Sequence, residues 1–170
     1  MAQLSNVMMA FALYIDGLGY YGDGTELKLP AVKFKTEDFQ GGGMFSPEPV
    51  VLGIEKLEAS FKMSSFDPNI ISKLKIGAEG LLPFTFRGAV SGANGAFFSL
   101  RARMLARLGS WEPDAWKASE KVESEYSLLV SSYTLTHGQR EIIHINNKDM
   151  EYRVDGQDQL AGMRQAIGIV

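Results

Sequence analysis

Two histidines, a spaced pair of carboxylates and a run of glycines are the residues whose types and spacing could do chemistry. His137 sits beside Gly138 in a turn-forming stretch, and His144 lies among Ile142, Ile143 and Ile145. A zinc centre needs three or four ligands, and a nucleophilic triad needs a histidine held between an acid and a hydroxyl or thiol. Two histidines in such different surroundings meet neither demand, so His144 reads as an ordinary sheet residue. The chain has no cysteine, which excludes a disulfide scaffold, thiolate catalysis and cysteine-ligated metal. Glu123 and Glu125 share one side of an extended stretch. They alternate with Lys121 and Ser127 in the manner of a solvated sheet face, not of a paired general acid and base.

Gly17, Gly19 and Gly22 spell G-x-G-x-x-G after an apolar strand. That fingerprint binds a dinucleotide only if its last glycine opens a helix whose N-terminus receives the pyrophosphate. The chain instead runs Asp23-Gly24-Thr25-Glu26-Leu27-Lys28-Leu29-Pro30, an alternating strand between Gly24 and Pro30, so these glycines serve tight turns. Phosphate-loop, nucleophile-elbow and zinc motifs do not occur in the sequence. No enzyme, cofactor or metal site is expected.

The elements that carry these residues are those of an ordinary globular chain, with 45% hydrophobic and 22% charged residues. Its 170 residues suit one domain, residues 1–170, large enough to bury its own core. A net charge of -3 and a pI near 5.4 argue against a dedicated nucleic-acid binder, which needs a basic footprint. Met1 to Asn6 contains no Lys or Arg, so no signal peptide is expected there. The apolar run Val7 to Ile15 is about half of the ~20 residues that span a membrane, so it reads as a first strand without stable membrane insertion.

Asp16 and Gly17 end that strand with a hairpin signal, and Tyr20 and Tyr21 begin a short return. Between Leu29 and Met63 the pattern gives a strand-like start, then an extended loop over 36–50 centred on Gly41, Gly42 and Gly43. A triple glycine followed by Pro47 and Pro49 cannot be helix and is costly in a sheet. From Leu57 the residues Leu57, Ala59, Phe61 and Met63 alternate with Glu58, Ser60 and Lys62, the mark of a half-buried strand. Asp67 as N-cap, Pro68, the stripe Ile70, Ile71, Leu74 and Gly77 predict a helix over Asp67 to Ile76, with Lys73 and Lys75 near its end.

Beyond it the chain reads as strand. Phe84, Phe86 and Val90 alternate with polar residues, Gly92 to Gly95 turn the chain, and Phe98 to Leu108 alternate with Arg101, Arg103 and Arg107. A loop over Gly109 to Trp116 carries Trp111 and Trp116, and a strand over Lys121 to Leu135 follows. His137 and Gly138 turn the chain into a strand over Arg140 to Asn146, and Met150 to Val154 is the last strand. The tail, 156–170, suits a short helix with Leu160, Met163 and Ile167 on one side, docked on its own domain or on a neighbour. Sheet-rich chains with long alternating edges are a hazard as monomers, but identical copies can close them into a ring.

A set of short motifs resembles one family. Leu13-Tyr14-Ile15-Asp16-Gly17, Leu29-Pro30, Thr36-Glu37, Gly42-Gly43-Met44, Leu52-Gly53, Leu57-Glu58-Ala59, Trp116-Lys117, Glu120-Lys121 and the tail from Asp155 to Arg164 follow one another in this order. In order and spacing they resemble the major tail tube proteins of P2-like contractile phages and the tube proteins of R-type pyocins. Ser119 stands where that family leads us to expect glycine, and Gln157 where valine is expected.

The resemblance implies a mainly β fold, a β-barrel or sandwich of the tail-tube kind with one flanking α-helix and long inter-subunit loops. It implies homo-hexameric rings stacked into the inner tube of a contractile tail, a conduit through which DNA passes without specific binding. The implied partners are the tail sheath, the baseplate, the tail terminator and a tape measure protein in the lumen during assembly. The virion is the implied location, after synthesis in the host cytoplasm. By this comparison Gly41, Gly42, Gly43, Met44 and Phe45 belong to an inter-subunit loop. Glu58, Ser60, Glu123, Glu125 and Ser127 are candidates to line the lumen, since an acidic bore repels phosphate. Lys73 and Lys75 are candidates to face the sheath. The inner tube of a bacteriocin or secretion system, and a monomeric β-sandwich binding module, are the alternatives.

Overall fold

The computed structural model describes residues 7–92 and 95–169. Met1 to Asn6 and the Ala93-Asn94 part of the expected turn lie outside the described residues. In chain order the strands are β1 Val7–Ile15, β2 Leu18–Tyr20, β3 Gly24–Lys28, β4 Phe34–Phe39, β5 Glu48–Ile54 and β6 Leu57–Met63. After a helical turn, α1 Pro68–Ile71, come β7 Leu82–Ser91, β8 Phe97–Pro113, β9 Ser124–His137, β10 Arg140–Asn146, β11 Glu151–Val154, β12 Gln157–Asp158 and the helix α2 Ala161–Ala166.

The long β8–β9 hairpin is the spine. Its sheet runs β12-β11-β10-β9-β8-β7-β1-β2 with antiparallel neighbours, while β6 bonds to the first half of β9 and β3 bonds to β6. Alternation decides which side chains face inward. Leu57, Ala59, Phe61 and Met63 are buried on β6, as are Ala102, Met104, Ala106 and Leu108 on β8 and Tyr126, Leu128 and Val130 on β9. Phe61 stacks on Tyr126 with ring centroids 4.9 Å apart and also meets Phe86 of β7 at 6.1 Å, so β6 and β7 close over one aromatic centre. Burial pushes the Tyr133 phenol up to about 12, because the charged form loses its water.

Several elements differ from the sequence expectation, each for a local reason. The strand predicted to stop at Leu108 continues to Pro113, since Gly109 is a bulge and not a terminus. One extra residue shifts the alternation, so Trp111 turns inward opposite Tyr126, while Ser110 faces out opposite Ser127. The next strand begins at Ser124, not Lys121, and Asp114 N–H donates to the Glu123 carbonyl at 2.9 Å to close the connection. The return strand after Asp16 is Leu18–Tyr20, and β12 follows the strand expected to be last.

The ten-residue helix expected over Asp67 to Ile76 is one turn. Its start is as predicted, with the Asp67 carboxylate accepting from Asn69 N–H at 2.8 Å. Where it ends, the Ser72 hydroxyl donates to the Asn69 carbonyl, the acceptor that Lys73 N–H would use in a continuing helix. Lys73 N–H turns to Ile70 instead, and Ile76 is left 99% exposed. Among the described residues no helix is long and apolar enough to cross a membrane.

Candidate functional site

The loop expected over 36–50 is a connection over 40–47 between two strands that take up its ends, 36–39 and 48–50. Phe34 pairs with Ile54 and Phe39 with Glu48, so β4 and β5 form a two-stranded arm of their own, apart from the main sheet. The glycines serve only its tip. Gly43 adopts a φ of 91°, Met44 N–H donates to the Gly41 carbonyl at 3.2 Å, and the Met44 sulfur folds back to within 3.2 Å of Gly41 N. Met44 therefore closes the turn, whereas Phe45 stands fully exposed beyond it.

Every residue of the arm strands is exposed except Ile54. Phe34, Phe39, Val50, Val51 and Leu52 are open to solvent, although the hydrophobic effect favours covering such side chains. Sequence reasoning singled out the glycine tip and missed these apolar shafts. At the arm's base Phe34 meets Tyr152 of β11 edge-on at 6.4 Å, and an apolar groove of about 470 Å³ runs on between Leu52, Leu160 and Met163.

The outward face of β6 and β9 carries four of the five candidate bore residues. Ser60 lies opposite Ser127, which is 2.7 Å from the Ser110 hydroxyl, and Lys62 lies opposite Glu125. Glu58 is exposed and 2.8 Å from Lys56 Nζ, whose ammonium the contact holds above its ordinary pKa. Glu123 precedes the strand and stands at the margin of this face. Four carboxylates, Glu26, Glu58, Glu112 and Glu125, stand on or beside this face among three lysines, Lys28, Lys56 and Lys62, with Lys28 directly opposite Ser60.

Lys73 and Lys75 are not equivalent. Lys73 is partly buried with Nζ 3.3 Å from Asp16 Oδ2, tying α1 to the first hairpin, while Lys75 is exposed 3.5 Å from Glu79. The exposed neighbours of Lys75 are Leu74 and Ile76. The expected tail helix exists but buries nothing, and Met163 and Ile167 face solvent. Arg164 holds it, by ion pairing with Asp158 and by donating to the Met150 carbonyl at 3.0 Å. His144 lies between the Thr134 hydroxyl at 2.8 Å and Glu151 at 3.0 Å on a flat sheet face, and His137 stacks on Phe98. Among the described residues no three metal-ligating side chains converge.

The antiparallel sheet folded over one core is a fold found in solved components of contractile injection systems. The terminating cap of the anti-feeding prophage tube superposes with a TM-score of 0.61 over 80% of this chain and 93% of that one, at 10% identity. The sheath/tube terminator of the PVC extracellular contractile injection system gives 0.59 over 75% and 94%, at 9% identity.

Sequence narrows the class. The family model for the phage tail tube protein FII matches residues 5–168, and the chain belongs to that family. It is similar to the tail tube protein of Escherichia phage P2, 26% identical over 92% of this chain and 94% of that one. It is also similar to the major tail tube protein of Serratia phage KSP20, 28% identical over 87% and 86%.

Proposed function

We propose that the chain is a structural subunit, not a catalyst, that assembles into hexameric rings stacked as the rigid inner tube of a contractile tail, through which DNA passes unbound. The observation that carries this is the β4–β5 arm. A pair of strands with apolar side chains on the outside and no core of its own is marginal alone, and gains its stability by being covered. Its occupant is another copy of the chain, since a tube is made by repeating one contact.

The outward β6–β9 face, with Glu58, Ser60, Glu125 and Ser127 and with Glu123 at its edge, lines the bore. With four carboxylates to three lysines the face is not basic, so it lacks the cluster of cations that counterion-release binding of phosphate needs. Lys75, with Leu74 and Ile76, faces the sheath, and Lys73 supports it from beneath. The baseplate and the tail terminator meet the two ends of the tube, and a tape measure protein fills the lumen during assembly. The subunit is made in the host cytoplasm and ends in the virion.

Sedimentation and negative-stain microscopy of the purified protein test the reading. Six-fold rings or tubes are the expected result. A monomer at all concentrations would overturn it in favour of a binding module.

A further inference from the structure

The outward face of β1, β7 and β8 differs from the acidic one. Arg87 lies directly opposite Arg101 across the β7–β8 ladder, Arg103 follows on the same side opposite Thr85, and Arg107 stands further along β8. Among the described residues none of the four lies within ion-pair distance of a carboxylate. Arg87 rests over the Tyr14 ring at 5.1 Å, and Arg101 Nε is buried without a hydrogen-bond partner. Like charges set opposite each other destabilise a sheet, and a buried donor without an acceptor costs more than a made bond returns. The first cost falls when carboxylates arrive from outside.

Beside these arginines is a shallow depression of about 550 Å³. Its floor is made of Ala10, Ala12 and Ala89, and its rim of Tyr21 and Phe97. Small residues under aromatic walls leave room for one more aromatic side chain, and arginine forks fit carboxylates. The arm offers both. Between Thr36 and Val50 it holds Glu37, Asp38 and Glu48 with no Lys or Arg, and Phe39 and Phe45 are exposed on it.

We propose that the arm tip of one copy seats in this socket on another copy, an aromatic ring on the alanine floor and its carboxylates on Arg87, Arg101 and Arg103. The inference rests on the self-assembly reading above and adds the receiving site. The arm springs from the β11 side of the sheet order and the socket lies on the β7–β1 side, so the contact is head-to-tail and can repeat indefinitely or close.

Because the chain has no cysteine, the double variant Phe45→Cys with Ala89→Cys tests the contact directly. Under mild oxidation it should give a ladder of disulfide-linked multimers, while each single variant stops at dimers. Separately, Arg101→Glu with Arg103→Glu should abolish tubes while leaving the monomer folded by circular dichroism, and adding Glu37→Arg with Asp38→Arg should restore them. Wild-type tubes together with no ladder and unimpaired Arg101→Glu, Arg103→Glu assembly would overturn the socket alone. A wild type that never assembles would overturn the socket and the assembly reading together.

Discussion

At Ser119 the backbone takes a φ of 68°, in the left-handed region where a side chain crowds the following carbonyl. The family resemblance leads us to expect glycine at that position. Asp16 and Asp155 also have positive φ, but aspartate tolerates it and each begins a hairpin turn completed by a glycine, Gly17 or Gly156. Serine has less excuse. Ser119→Gly removes about 1–2 kcal/mol of steric cost and returns about 0.5–1 kcal/mol as unfolded-state entropy. The net expectation is a stabilisation of up to about 1.5 kcal/mol, read as a higher urea midpoint with an unchanged slope. An unchanged or lower midpoint would show that the Ser119 conformation carries no strain.

Among the elements, legibility follows what each buries. β6 is plain in the sequence because one face is fully buried and the other solvated, so its alternation has no interruption. β8 is plain only as far as Leu108. The bulge at Gly109 reverses the inward side, and a periodicity argument reads that reversal as an end. The start of α1 is written in Asp67 and Pro68, but its length depends on whether Leu74 finds a surface, which no local signal states. The arm is the least legible element, since strands that bury nothing in their own chain leave no period to detect.

The tail helix depends on charge instead of burial, which makes it sensitive to acid. The Arg164 guanidinium, and then the Leu160 N–H, hold the Asp158 carboxyl below its ordinary value of 3.8. A depressed folded value means the pair's contribution is complete above that ordinary value and is lost as pH falls through the lower, folded one. Amides of 164–166 should therefore keep their hydrogen-exchange protection from pH 7 down to about 4 and lose it below. Asp158→Asn should show the unprotected behaviour already at neutral pH. Equal protection in the variant and the wild type would mean that the Asp158–Arg164 pair is not what holds the helix.

For the whole molecule, the separation between arm and body is the central fact. The hydrophobic core belongs to the main sheet and to Ile70, and none of it to β4 or β5. Shortening Gly41 to Pro49 should thus leave the melting transition within the ~0.5 kcal/mol typical of surface changes, while long tubes disappear from negative-stain fields. Normal tubes from the shortened chain would remove the arm from the assembly. The acidic face of β6 and β9, the arm and the arginine-bearing face of β7 and β8 are three separate surfaces of one subunit. Only the first was recoverable in outline from residue alternation, because the arm buries nothing that would give it a period and the arginine face depends on which strand lies beside which.

The pairing of β1 with β7 also sets a timetable. Ile15 bonds across to Phe84, and Val7 to Ser91, so the first strand made waits for a partner about 70 residues behind it. At ~5–20 residues per second that is a delay of roughly 4–14 s on the ribosome, during which β1 has only the three residues of β2 beside it. A newborn chain thus shows an unfinished edge to every other chain on the same message for seconds at a time. For a subunit made in many copies at once, keeping that edge from its neighbours is as much a part of building the tube as the finished contacts are.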